Sequence, residues 1–481
     1  MPMKKVTQKF FKTAGSETGL SSDLSITHND KSVFVTGAIN GLTALDFKGN
    51  NVKNLQGKDD IFVSRLDKNG RQKFFKTAGG IEDDSGLSVA SNENHVFVTG
   101  FLRGKTAIDF KGNVINLQAE LTPTQDIFVA GLDNRGCQKF FKTAGGKNDD
   151  SGVSISTNNN CVYVTGSVVG PTALDFKENL VDIKSSSAIF VAGLDERGCQ
   201  KFFKTAGGKT ITSGIDIYAN DDGVFVTGLI SGVFLNNGTG TDFNGKTFEL
   251  KGNREIFVAK LDHNGCQKFF KTAGAGSDLI VPFDIGLSIK ANNNGVFVTG
   301  RIDGKTALDF KGNVINLQGE IFDEVAIPPD IFVARLDHKG CQKFFKTAGG
   351  ISADQGVSLA TNDSGVFVTG SVNGQTALDF KKNIKYLQGR GDIFVAGLNN
   401  NGCQKFFKTA GGKGVDEAFS ITADEKKIFV TGLVSGETAL DFNGNVKNIK
   451  GDRGIFVAGL DLGIKPDRIL GKGFRSKMQY N

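Results

Sequence analysis

The sequence predicts an all-β protein: a seven-bladed β-propeller of four-stranded blades, closed by its own N-terminal strand. Three observations carry that expectation. Three apolar phrases recur in fixed order, seven times each, along 481 residues, at a period of about 60 to 75 residues that suits propellers. Each phrase is short, rich in β-branched and aromatic residues and bounded by Gly, Asn or Asp, which is how a strand reads. The chain also begins and ends at different points of the repeat, and that offset dictates how the ring closes.

The phrase Phe-Phe-Lys-Thr-Ala-Gly begins at Phe10, Phe74, Phe140, Phe202, Phe269, Phe344 and Phe406. Val-Phe-Val-Thr-Gly and its variants begin at Val33, Val96, Val162, Val224, Val296, Val366 and Ile428. Ile-Phe-Val begins at Ile61, Ile127, Ile189, Ile256, Ile331, Ile393 and Ile455. A softer segment such as Gly86-Leu87-Ser88-Val89-Ala90 precedes each Val-Phe-Val-Thr-Gly. Its small residues (Ser25, Ser88, Ser154, Ser288, Ser358 and Ser420) suit a crowded inner end. We name the strands a (soft), b (Val-Phe-Val-Thr-Gly), c (Ile-Phe-Val) and d (Phe-Phe-Lys-Thr). Adjacent residues such as Phe74 and Phe75 leave opposite faces of a strand. Both can be buried only in a sheet covered on both sides, as blades packed face to face are.

The ends set the topology. Gln8–Thr13 is a d strand with no strands before it, and Ile455–Asp461 is a c strand with no d strand after it. The first is expected to complete the last blade, which leaves no open sheet edges. Residues 1–461 then form one propeller, and 462–481 a basic tail with Lys465, Arg468, Lys472, Arg475 and Lys477 against Asp467. Between c and d, Gly70, Gly136, Gly198, Gly265, Gly340 and Gly402 fall in register, at the left-handed position of a tight hairpin. Between b and c, Thr106–Leu117 reads as an extra hairpin turning at Lys-Gly-Asn. Its longest variants are Gly232–Arg254 and Gln318–Asp330.

These phrases, together with Asp-Phe and Asp-Ile-Phe-Val-Ala-x-Leu-Asp, resemble the SBBP family of β-propeller repeats over nearly the whole chain, to about Asp461. The opening aromatic of strand d, often Trp in that family, is Phe here throughout. The resemblance implies a fold and no activity.

Composition narrows the function classes. The net charge of +6 is spread along the chain, so no single-sign block marks a nucleic-acid or membrane surface. The start has no apolar stretch behind its lysines, which argues against secretion, and no run of about 18 apolar residues could span a membrane. Six cysteines are too few for a disulfide scaffold. A cytoplasmic location is expected, or a virion if the protein is viral. The 41 Phe, no Trp and abundant Lys, Asn and Ile suit an A/T-rich genome, such as those of large DNA viruses, amoebae and some intracellular bacteria.

The repeats allow each suspicious residue to be compared with its sisters. His263 and His338 share a turn position with Lys68, Asn134, Glu196 and Asn400, so they read as solvated turn residues; His28 and His95 lie among Asn and Asp. Cys137, Cys199, Cys266, Cys341 and Cys403 share one register on separate blades, beyond the Cα separation of about 7 Å that a disulfide allows. Cys161 opens a b strand and reads as core. Gly100–Thr106 and Gly300–Thr306 imitate a phosphate loop, but three residues separate the glycines and a strand follows. The Asp-Phe pair (Asp46, Asp109, Asp175, Asp242, Asp309, Asp379 and Asp441) reads as structural, with Asp bonding turn amides over a packed Phe. Asp83-Asp84, Asp149-Asp150, Asp354 and Asp416-Glu417 fall in d–a loops and read as solvated, the alternative being a cation or ligand contact. Asp216 alone replaces the strand-a Ser and needs a partner if buried.

No catalytic residue, metal site or cofactor is expected, and no ligand-binding residue is assigned. The function read from the sequence is a non-enzymatic scaffold or structural component that meets a protein partner, a virus particle being one such assembly. Contact with nucleic acid is expected only through the basic tail. The opposing reading is a hydrolase or lyase at the mouth of an axial channel. Unlike polar residues gathered around the axis would mark it.

Overall fold

The computed structural model describes residue 14 and residues 25–29, 31–40, 44–118, 123–158, 160–183, 185–232, 238–275, 284–318, 328–448 and 453–462. The expected closing strand Gln8–Thr13, the tail from 463 onward and parts of the two longest b–c segments lie outside them. Among the described residues every regular element is a β-strand.

The four phrases form antiparallel meanders in the order a-b-c-d. In the second repeat these strands are Ser85–Ser91, His95–Arg103, Gln125–Asp133 and Gln138–Ala144. Among the described residues the first six repeats each build such a sheet. The seventh has three strands, Glu417–Ala423, Lys427–Ser435 and Arg453–Asp461. Each a strand packs beside the a strand of the next sheet, from Ser25–His28 through to Glu417–Ala423.

The core lies between successive sheets, and the adjacent phenylalanines are divided between two of them. Phe140 packs on Phe97 and joins the core shared with the third sheet. Phe141 stacks on Phe128 at 5.4 Å and joins the core shared with the first. In the central c strand Ile127, Phe128, Val129 and Ala130 are all fully buried. Two-sided cover is what the unalternating pattern requires, and each buried Phe or Val contributes roughly 1.5–3 kcal/mol.

The recurring polar residues serve these junctions. Thr99 Oγ1 donates to Phe128 O at 2.8 Å, tying b to c, and the same bond recurs from Thr36, Thr165, Thr227, Thr299, Thr369 and Thr431. The c–d glycines are left-handed, as expected, with φ between 74° and 83°. A Cβ on Gly136 would also meet the Phe74 ring of the preceding sheet at 2.7 Å. The b–c segments are hairpins, such as Thr106–Ile108 with Val114–Asn116. One feature exceeds the expectation: from the second repeat on, each hairpin docks on the end of strand d of the preceding sheet. Gly79 and Gly80 pair with Ile108 and Ala107, and Gly411 and Gly412 with Leu440 and Ala439.

Candidate functional site

Three sets of residues depart from a plain packed sheet: the inner a strands, the outer hairpins and the seams between sheets.

On the inner strands, the strand-a Ser bonds across each junction. Val89 N donates to Ser25 Oγ at 3.2 Å, Ile155 N to Ser88 Oγ at 3.2 Å and Leu359 N to Ser288 Oγ at 3.3 Å. Asp216 does the same work with a longer arm, its Oδ2 accepting from Ile289 N at 2.9 Å. Ser154 Oγ and Ser288 Oγ also donate to it, and Lys290 Nζ pairs with it at 3.3 Å while lying over the Tyr218 ring. The partner that a half-buried Asp requires is therefore Lys290, flanked by two serines. The ion pair neutralises both groups.

A second asymmetric group sits where the third sheet meets the fourth. The Tyr163 hydroxyl lies 2.8 Å from His263 Nδ1, and burial raises its pKa. Lys201 Nζ donates to Cys161 Sγ at 2.8 Å, whereas its sisters Lys73, Lys139, Lys268 and Lys343 pair with turn aspartates. His263 and His338 are thus half-buried and turned toward the preceding sheet, not freely solvated as the turn position suggested. His338 Nε2 lies 3.1 Å from Asn292 O of its own sheet, and its ring lies 6.2 Å from that of Phe225 in the preceding one. All six cysteines are free, Cys161 buried and the other five exposed. Among the described residues no three His, Cys, Asp or Glu side chains gather as a metal site would require.

At the hairpins the Asp-Phe pair has its structural role. Asp109 Oδ1 accepts from Lys111 N and Asn113 N, and Phe110 packs against Phe141. Sequence reasoning missed the third member. Gln138 Nε2 donates to Asp109 Oδ2 at 2.8 Å while its Oε1 accepts from Phe110 N at 2.9 Å. This clamp recurs at Gln72, Gln200, Gln267 and Gln342, and at Gln404 its Nε2 arm alone is made, to Asp379. The constant Gln before Lys-Phe-Phe was its signal. The second hairpin strand opens on an exposed aliphatic residue in five repeats, namely Val114, Leu180, Val314, Ile384 and Val446.

The seams correct the reading of the d–a acids. Asp84, Asp150, Asp354 and Asp416 are fully buried, not solvated. Each turns inward because backbone amides await it: Asp150 Oδ2 accepts from Gly146 N and its Oδ1 from Val169 N. Facing each is an acid from the start of strand c that the sequence analysis did not single out: Asp60, Asp126, Asp330 and Asp392, also buried. Burial raises all eight, Asp60 and Asp392 to about 6, Asp84, Asp126, Asp150 and Asp330 to about 7 and Asp354 to about 8. Gly100–Thr106 is no phosphate loop, since Gly100 lies within strand b and Thr106 opens the hairpin.

No protein-family model matches the chain, and no curated protein matches it in sequence. Among solved structures, a GH43 endo-arabinanase from Bacillus licheniformis is 11% identical with a TM-score of 0.25, covering 69% of this chain and 99% of its own. The rhamnogalacturonan lyase YesW is 10% identical with a TM-score of 0.20, covering 82% of this chain and 90% of its own. Likenesses this weak carry neither fold nor activity to the chain.

Proposed function

We propose that the seven sheets are the blades of one closed β-propeller, of the SBBP-like repeat type, that acts as a non-enzymatic scaffold or structural component. Its hairpin face meets a protein partner. The observation that carries the interaction reading is the exposed aliphatic side chain repeated at one hairpin register, with Tyr386 exposed beside Ile384. A partner that spans several blades would meet the same aliphatic side chain on successive hairpins. A virus particle or another large assembly is one setting for such a scaffold.

Closure by Gln8–Thr13 is supported from the last sheet. An apolar cleft of about 850 Å³ runs along Arg453–Asp461, lined by Phe406, Phe442, Phe456 and Leu460. Asp441 and Phe442 stand there as Asp109 and Phe110 stand before Gln138 and Phe141. In the closed ring Gln8 and Phe11 take the equivalent positions.

The inner Asp216–Lys290 group is the feature nearest to the enzyme reading. Its carboxylate is already spent on Ser154, Ser288, Ile289 N and Lys290, so it favours the junction role. The test is partner capture from the native source, with the wild-type protein compared against a variant carrying Val114→Asp, Val314→Asp and Tyr386→Asp. A partner held by the wild type and lost by the variant, at unchanged melting temperature, is expected. Equal capture by both would remove the hairpin face from the reading.

A further inference from the structure

The seams repeat a second motif beneath the packing. At the first, Asp60 from strand c and Asp84 from the d–a loop converge on Gly79, whose φ is 153°. A Cβ on Gly79 would lie 2.4 Å from Asp60 Oδ1 and 2.8 Å from Asp84 Oδ2. Gly145 stands in the same way between Asp126 and Asp150, Gly349 between Asp330 and Asp354, and Gly411 between Asp392 and Asp416. The loop acid spends both oxygens on backbone amides; Asp354 accepts from Gly350 N and Asn373 N, each at 2.6 Å. The strand-c acid spends only one. Asp60, Asp126, Asp330 and Asp392 each keep Oδ1 buried with no hydrogen-bond partner.

We propose that each of these four Asp–Asp pairs holds one shared proton at neutral pH, so that the seams form an alkaline-sensitive latch between successive sheets. Two ionised carboxylates facing each other in a dry seam would carry uncompensated charge and leave an acceptor without a donor. One proton between the unpartnered Oδ1 and the facing Oδ2 removes both costs.

The third seam supplies an internal control, for both acids are replaced there at once, by Ala188 and Thr212. Ser187 Oγ donates to Thr212 O at 3.0 Å and Thr212 Oγ1 to Ser187 O at 2.8 Å. The strand-c acid is lost where the loop acid is lost, as two groups that share one proton require, and no lone carboxylate is left buried there. Two carboxylates also fall short of the six to eight oxygens that Ca²⁺ takes. The fourth seam, Glu255 with Asp284, has Arg254, Arg301 and Asp303 around it and stands outside the proposal.

The neighbouring charges deepen the effect at some seams. Asp59 raises Asp60, Asp83 raises Asp84 and Asp149 raises Asp150. At the fifth seam Asp303 raises Asp330 while Lys382 opposes it. The native protein therefore keeps these protons up to about pH 6–8, whereas an unfolded Asp releases its own near about pH 4. With more protons bound in the native state, stability falls as pH rises through that window.

The test is thermal unfolding from about pH 5 to about pH 9 at constant ionic strength. The wild-type melting temperature should fall across the range. Asp330→Asn, whose amide nitrogen replaces the unpartnered Oδ1 and donates without a proton to lose while its oxygen still accepts from Gln318 N, should remove roughly one quarter of that slope, one pair of the four. Ala188→Asp with Thr212→Asp should steepen it by a similar share. Should these variants fail to fold, infrared spectra of the wild type decide the matter, since a carboxylic-acid C=O band at neutral pH must vanish over the same range. A flat melting profile with no such band overturns the proposal. So does a melting temperature at about pH 8 that Ca²⁺ raises and a chelator lowers, which would make the seams cation sites.

Discussion

The c strands of the sixth and seventh sheets have nearly the same sequence, Gly391–Asn399 and Arg453–Asp461, both containing Ile-Phe-Val-Ala-Gly-Leu. Val395 is fully buried in the first, and its counterpart Val457 is 75% exposed in the second. The sixth sheet has strand d, Gln404–Gly412, beside its c strand. The first sheet mirrors this at the other end of the chain. Ile26 is 66% exposed, while Val89, Ile155, Ile217, Ile289, Leu359 and Ile421 are buried in the same register. In this repeat, burial belongs to the junction between two sheets and not to the strand that supplies the side chain.

The largest effect that could sharpen the comparison comes from deleting residues 1–15. If Gln8–Thr13 covers the seventh sheet, the loss of two phenylalanines costs about 3–6 kcal/mol, read from denaturant unfolding. An unchanged midpoint would break the closure. Next come Val395→Ala and Val457→Ala. Val395→Ala should cost about 2 kcal/mol. In a closed ring Val457→Ala costs about the same, and in an open one almost nothing. The smallest effect tests the inner strands. Ser358 Oγ accepts from Ile421 N at 3.3 Å, so Ser358→Ala should cost about 0.5–1.5 kcal/mol. Ser420→Ala should match it if Ser420 meets Ile26 N in the closed ring; a neutral result would leave the first and last sheets unlinked at their inner edge.

The strands, their order, the c–d turns and the b–c hairpins were legible because each rests on local chemistry that the repeat displays many times over. The Asp-Phe role was legible for the same reason. The Gln138 clamp was visible as a constant residue, but its purpose was not, because its partner Asp109 lies in another strand pair. The seam acids were misread because solvation is not a local property. Asp83 and Asp84 are neighbours in sequence, yet Asp84 alone turns inward, toward Gly80 N, Arg103 N and the carboxyl of Asp60. Nothing in a d–a loop announces which of two adjacent acids will find amides waiting. The partner register of strand c is where the signal lay: Asp60, Asp126, Asp330 and Asp392 are acidic where the loop is acidic, and Ala188 is neutral where Thr212 is.

The docking of each hairpin after the first on the sheet before it has a consequence for synthesis. Gly79 and Gly80 cannot complete their pairing until Ile108 and Ala107 have been made, and the same delay recurs at every later repeat. A chain emerging from the ribosome therefore carries one unfinished outer edge at a time, always on its newest sheet, while the sheets behind it are already stitched. Assembly along such an array can propagate in one direction with little exposed edge to misassemble. The hairpin acts as the fastener that each repeat sends back to the one before.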